Sequence, residues 1–146
     1  MEKLELKNND IYQLEVNDGG DYIEFDLTDI SLPAKAINLS ENIVKIDKEY
    51  MEEILKIDQE YKDEEIEKIK KVADLELKKC YELRKTFDEF LGEGACQKIF
   101  GNKNNYGMFN ELLEALEPHF DKMKINIKKA KEKLVNKYLP KKNDVM

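Results

Sequence analysis

The chain reads as a mostly α-helical protein with a small amino-terminal antiparallel β element. Three observations predict this. Apolar residues alternate with polar ones before position 30, and from Pro33 onward they recur every three or four residues. Four of the six glycines, Gly92, Gly94, Gly101 and Gly107, crowd between positions 92 and 107. Period two marks a half-buried strand and period 3.6 an amphipathic helix, while clustered glycines punctuate helices. Composition agrees, because 39% charged residues against 41% hydrophobic ones confine the apolar side chains to narrow stripes, as in long thin helices. A length of 146 residues makes a single domain with one core.

Residues 1–30 form the β element. Tyr12, Leu14 and Val16 alternate with polar neighbours, Asn17-Asp18-Gly19-Gly20 supplies a turn, and Ile23, Phe25 and Leu27 alternate on the way out. This is the pattern of a β-hairpin, which Leu4 and Leu6 extend to a three-stranded meander if Asn8-Asn9-Asp10 turns. Such a small sheet is marginal alone, so its apolar face must lie on helices or on another protein.

Residues 31–140 form the helical region, with helices expected over about 33–61, 63–91, 95–100 and 106–138. Pro33 suits a first helical turn, and Thr28, Asp29 and Ser31 stand near to cap it. Ile43, Ile46, Tyr50, Ile54, Ile57 and Tyr61 make a heptad seam, the stripe one helix offers another. A second seam runs through Ile66, Ile69, Ala73, Leu77, Cys80, Leu83 or Arg84, Phe87 and Leu91. Five residues from Tyr61 to Ile66 rotate a helix by about 500°, so one straight helix cannot keep both seams on one face. Either the helix continues with its face turned towards a second partner or, the favoured reading, it breaks near Lys62-Asp63 with Asp63 as the new cap and the two arms fold into an antiparallel hairpin.

The run from Phe90 to Gly101 then predicts a corner. Gly92 ends the long helix, Gly94 relieves crowding, Gly101 stops a short helix over 95–100, and Ile99 and Phe100 anchor it. From Tyr106 a last stripe runs through Phe109, Leu112, Leu113, Leu116, Phe120, Met123, Ile127, Ala130, Leu134 and Tyr138. Pro118 removes a backbone donor within it, which predicts a kink or a short break with the helix restarting at Pro118-His119-Phe120. Residues 141–146 read as a flexible tail.

The net charge of -7 hides an asymmetry: nine lysines face only Asp121 and Glu132 between Asp121 and Lys142, a segment of +7 in a chain whose remainder carries -14. The segment has no arginine to fork onto phosphate and almost no aromatic to stack a base, which argues against nucleic acid. It reads instead as a basic helix that neutralises the acidic arm over 47–76. The strand edges of residues 11–27 offer a route to homo-oligomers by sheet extension.

Catalytic chemistry is sought and not found. His119 is the only histidine, and it follows a proline on a mostly apolar turn, as a packing residue does. Cys80 and Cys96 lack metal-ligand spacing, and Cys96 sits in an apolar Ala95-Cys96-Gln97-Lys98-Ile99-Phe100 run that suits a buried structural thiol. Gly92-Glu93-Gly94 follows a helix rather than a strand, and Glu93 would repel a phosphate. No run of about eighteen apolar residues spans a membrane, and Met1-Glu2-Lys3-Leu4-Glu5 lacks a signal-peptide core. The expectation is a soluble cytoplasmic protein that is not an enzyme and uses no cofactor or metal.

The run Phe87-Asp88-Glu89-Phe90-Leu91-Gly92-Glu93-Gly94-Ala95-Cys96-Gln97-Lys98-Ile99-Phe100-Gly101, followed by Phe109-Asn110-Glu111-Leu112-Leu113-Glu114-Ala115-Leu116-Glu117-Pro118-His119-Phe120, resembles small tail-morphogenesis proteins of phages and prophages of Gram-positive bacteria. They are similar to tail assembly chaperones encoded beside the tape measure gene. The resemblance covers about residues 87–123, and the strongly basic carboxyl end departs from the usual plan. It implies a non-enzymatic helper that binds the helical tape measure protein and assists tail tube assembly. Thin heptad-striped helices fit that role because they present apolar grooves to other helices. Ile43, Ile46, Tyr50, Ile54, Ile57 and Tyr61, with Lys124, Lys128 and Lys131, are then the candidate partner-binding residues. Two other readings compete: a structural tail or neck subunit of the particle, and an acidic inhibitor of a host nuclease.

Overall fold

The structure, a computed structural model, describes residues 1–5 and 10–123. A two-stranded antiparallel hairpin precedes four helices: β1 (Ile11–Glu15), β2 (Tyr22–Asp26), α1 (Leu32–Glu60), α2 (Glu65–Leu91), α3 (Ala95–Phe100) and α4 (Met108–Lys122). The protein is thus mostly helical with a small amino-terminal sheet, as the periodicities predict. Leu4 is exposed and residues 1–5 form no strand. Leu6 and Asn8-Asn9 of the expected third strand lie outside the described residues.

Strand register pairs Tyr12 with Phe25 and Leu14 with Ile23, which places the alternating apolar set on one face and buries Ile23 and Phe25. The Asn17 side chain shapes the turn by accepting from the amides of Gly19 (2.9 Å) and Asp21 (3.2 Å). Its Nδ2 also donates to the carbonyl of Lys98 at 3.0 Å, while the Lys98 ammonium donates to the Tyr22 carbonyl at 3.4 Å. The hairpin is thereby tied to α3 as well as packed on the core.

Asp29 initiates α1 by a local turn: its Oδ1 accepts from the amide (2.8 Å) and the hydroxyl (2.7 Å) of Ser31. Those bonds hold the Asp29 carboxyl below its ordinary range. Pro33 then occupies the first turn, where its missing N–H costs nothing. The break between the long helices falls between Glu60 and Glu65, but Asp63 is not the cap. That position belongs to Glu64, and no side chain caps it. Pro118 does not break the helix, since α4 continues through it to Lys122. It sits near the end of the helix, and the buried side chains of Leu116 and Phe120 on either side hold the backbone where one hydrogen bond is lost.

One apolar cluster joins β2, the first half of α1, the second half of α2, α3 and α4. Aromatic rings interlock through it, with Phe25 on Phe90, Phe87 on Phe109 and Phe90 on Phe120 at 5.5 Å between centroids and Phe100 on Phe109 at 5.3 Å. Tyr12 on β1 donates or accepts a 2.8 Å hydrogen bond with His119 Nδ1 on α4. That bond gives the single histidine a packing role. In α1 the last buried residue is Ile46, and in α2 the first is Leu75. Beyond them α1 runs on for fourteen residues, about 21 Å, and α2 for ten, about 15 Å, as a stalk in which the two pack on each other.

A candidate helix-docking face at the stalk tip

The corner that joins stalk and head is built as its glycines demand. Gly92 ends α2 with φ +115° and ψ 155°, and Gly94 opens α3 in the left-handed region at φ +76°. A side chain at either would be strained. Asp88 spans the corner, because its Oδ1 accepts from the Cys96 amide at 2.8 Å and so satisfies an orphan donor of α3's first turn. Cys96 is buried, its thiol 3.6 Å from the Arg84 carbonyl. Burial and the Asp88 carboxylate push that thiol far above its ordinary value, so it is an unreactive packing group. Gly101 closes α3, and Ile99 and Phe100 pack half-buried against the core.

Arg84 extends the corner into the next loop. Its guanidinium donates to the carbonyls of Gly101, at 2.9 Å, and Lys103, and lies 5.9 Å from the Phe100 ring centroid. The loop so held delivers Tyr106 onto the hairpin. Its ring stacks on Tyr50 at 4.3 Å, its hydroxyl donates to Asp47 at 2.9 Å, and its amide donates to Glu76 at 3.3 Å. Burial first, then the bond to Asp47, raises the Tyr106 phenol well above its usual value. Tyr106 therefore roofs the groove between α1 and α2 on one flank.

Toward the tip that flank is bare. Ile66 is 71% exposed, Ile69 63% and Leu77 40%, and Ala73 between them is exposed as well. Met51 and Leu55 are also exposed. They lie on the outer side of α1, next to the half-buried Tyr50 and Ile54. Ile66, Ala73, Cys80 and Phe87 are spaced seven apart on α2, and a heptad keeps residues on one face. Cys80 and Phe87 are fully buried at 0% exposure, so one stripe is covered in the head and naked in the stalk. Glu65, Lys68, Val72 and Glu76 border an open groove beside Ile69 and Ala73.

The predicted partner-binding residues divide differently. Ile46 is buried, and Ile43, Tyr50, Ile54, Ile57 and Tyr61 are half-buried on the flank that faces α2 and Tyr106. That seam is already occupied within the chain. The correction for the second seam is the reverse: Ile66, Ile69, Ala73 and Leu77 do not pack on α1. The inward positions of α2 are instead Val72, Leu75, Lys79, Leu83 and Thr86. Lys79 escapes a polarity pattern because it is 1% exposed, with its ammonium 3.0 Å from Glu82 and 3.7 Å from Glu49. Burial opposes its charge, but the bond to Glu82 and the charges of Glu82, Glu49 and Glu53 outweigh it and hold its pKa above the ordinary value. Lys124, Lys128 and Lys131 lie outside the described residues.

Among the described residues no group of three or more His, Cys, Asp or Glu side chains could hold a metal. No helix there is long and apolar enough to cross a membrane. The pattern of a family of unknown function, DUF6673, matches residues 19–144, most of the chain. The chain belongs to this family. Corner, roof and stalk all lie within the matched span. No curated protein and no solved structure matches the chain.

Proposed function

We propose that the protein is a non-catalytic assembly chaperone that holds a helical partner, of the kind found in phage tail modules, and that it acts in the bacterial cytoplasm on the tape measure protein. The observation that supports this reading is the naked apolar flank at the stalk tip, presented by a firmly packed head. A third helix laid along Ile66, Ile69, Ala73 and Leu77 of α2 docks by the same apolar-face recognition that seats amphipathic helices. Each large apolar side chain removed from water contributes about 1.5 to 3 kcal/mol before the cost of ordering the partner. Three such side chains suit a reversible complex rather than a permanent subunit contact.

The test is co-expression with the tape measure protein that this reading places beside the chain's gene. The wild-type chain is expected to raise the soluble fraction of that protein, and a chain carrying Ile69→Glu and Leu77→Glu is not. Equal solubility with and without the wild-type chain would sink the proposal. Mass spectrometry of purified particles separates a chaperone from a structural tail or neck subunit, because stoichiometric presence of the chain favours the latter.

A further inference from the structure

We infer that the naked stripe of α2 is covered by the same stripe of a second copy of this chain, the two stalks lying antiparallel across a two-fold axis. On the proposed reading a client helix displaces the second copy, and only that displacement rests on the reading. Three features of residues 62–84 choose this occupant.

The first is that the stripe matches itself when reversed. Ile66, Ile69, Ala73 and Leu77 step by three, four and four. Two α2 helices set antiparallel, with the axis near residue 72, bring Ile66 level with Leu77 of the second copy and Ile69 level with its Ala73. A face that is its own complement is what an isologous two-fold contact needs. Each copy takes three large apolar side chains out of water, and the small Ala73 beside the axis lets the helices approach to about 8 to 10 Å.

Charge is the second feature, and it sets the direction. Each stripe residue is followed by an exposed charged one, Glu67, Lys70, Asp74 and Lys78. They form a row of alternating sign along the outward side of the stripe, and Glu67 and Lys70 already lie 3.8 Å apart within the chain. Such flanking charges select the orientation of paired helices. In an antiparallel pair each flank meets the same flank of the other copy, so reversal sets Glu67 against Lys78 and Lys70 against Asp74, each pair made twice. A parallel pair would set the outward row against the row toward α1, with Glu67 level with Glu65 and Lys70 level with Lys68, like against like. On the α1 side of the antiparallel pair Glu65 comes level with Glu76, and Lys62 and Lys68 border the same groove to offset them. From Lys62 to Lys78 the chain carries six carboxylates and five lysines, so the two faces meet with almost no net charge.

The third feature is an end stop. Arg84 follows Ile66 by eighteen residues, five turns, and so lies on the same line of α2. Its guanidinium holds the carbonyls of Gly101 and Lys103, and the loop after α3 closes the stripe there. The open stripe therefore runs from Ile66 to the exposed Tyr81, about 22 Å. The register that pairs the side chains also brings residues 61–64 of the second copy level with residues 80–83, just short of that loop.

The test uses two full-length variants, Glu67→Cys and Lys78→Cys, at exposed positions outside the apolar stripe. The native Cys80 and Cys96 are buried and stay in place. With a short bismaleimide, an equal mixture of the two is expected to give at least tenfold more covalent dimer on a denaturing gel than either variant alone, because like positions lie about 15 Å or more apart along the pair. Sedimentation of the native chain is expected to show a dimer, and Ile69→Glu to leave a monomer with an unchanged circular dichroism spectrum. Lys78→Glu is expected to weaken the dimer about tenfold, and Glu67→Lys added to Lys78→Glu to restore it. Cross-linking of either variant alone as strong as the mixture, or a double variant that pairs no better than Lys78→Glu, would overturn the inference. So would a monomeric native chain, which leaves the stripe to a client or to the carboxyl segment of the same chain. A monomer that still raises tape measure solubility removes this inference alone. A dimer with these cross-links and no effect on that solubility removes the chaperone reading alone.

Discussion

Head and stalk are built from the same two helices and differ in what covers them. In the head, α1 and α2 are roofed by the β-hairpin, α3, α4 and the Tyr106 loop, and four pairs of aromatic rings interlock. In the stalk, among the described residues, the helices pack only on each other, and polar pairs add to the half-buried apolar seam: Lys68 of α2 pairs with Asp58 of α1 at 2.6 Å, and toward the head Lys79 reaches Glu49 at 3.7 Å and Asn42 donates to Thr86 at 3.0 Å. Polar pairs fix register more than they add stability. The stripe of Ile66, Ala73, Cys80 and Phe87 crosses both regions, so a residue's place in the heptad does not decide its burial. The covering layer decides it.

The sharpest way to break this comparison is to shorten one side chain in each region. Phe87→Ala is expected to cost about 3 to 5 kcal/mol in a urea unfolding curve, because a buried ring leaves a cavity among aromatic neighbours. The corner should rank next. Gly92→Ala is expected to cost about 1 to 3 kcal/mol for its backbone angles alone, since a Cβ there meets nothing within 4 Å. Gly107, in an ordinary helical conformation, should accept alanine with a change near zero by the same measurement.

The buried lysine follows. Glu82 and Glu49 remain partly exposed and can rehydrate, so Lys79→Met is expected to cost about 1 kcal/mol or less. Lys79→Ala should cost more because it also removes the packed stem. Both Lys79 and Tyr106 have raised pKa values, so the folded state retains protons that the unfolded chain releases. Stability is then fully present below about pH 10, the ordinary range of both groups, and falls as pH rises beyond it. Thermal melts between pH 9 and 11 check this, and Tyr106→Phe should flatten the decline. The smallest effect belongs to Ile66→Ser, within about 0.5 kcal/mol, because the side chain is mostly in water already. A large loss there, measured on the monomer, would mean that the flank is not bare.

Much of the fold was legible in the chain. Alternation placed the hairpin and its buried pair, Ile23 and Phe25; the phase argument at Tyr61 and Ile66 found the turn between the long helices; and the glycine cluster located the corner. The candidate site was legible only in outline. The second seam was visible, but its bare half could not be told from its buried half, because the roof comes from Tyr106, thirty residues from Glu76 and fifty-nine from Asp47. Lys79 stands outside both apolar seams of the sequence, and only the Glu82 and Glu49 geometry shows how a lysine fills a helix interface. A break at Pro118 was not legible either way, since α4 runs on through it to Lys122.

The turn at residues 61–64 has a consequence for how this design varies. It lies far from the apolar cluster and joins two arms that pack on each other, so chain added there leaves every ring contact in place. Seven residues inserted into each arm would lengthen the projection by about 10.5 Å and keep both stripes in phase. An insertion of five would rotate the outer part by about 140° and turn its apolar side elsewhere. Projection length can therefore change in discrete steps while the head stays the same, which makes this hairpin an adjustable spacer as well as a surface.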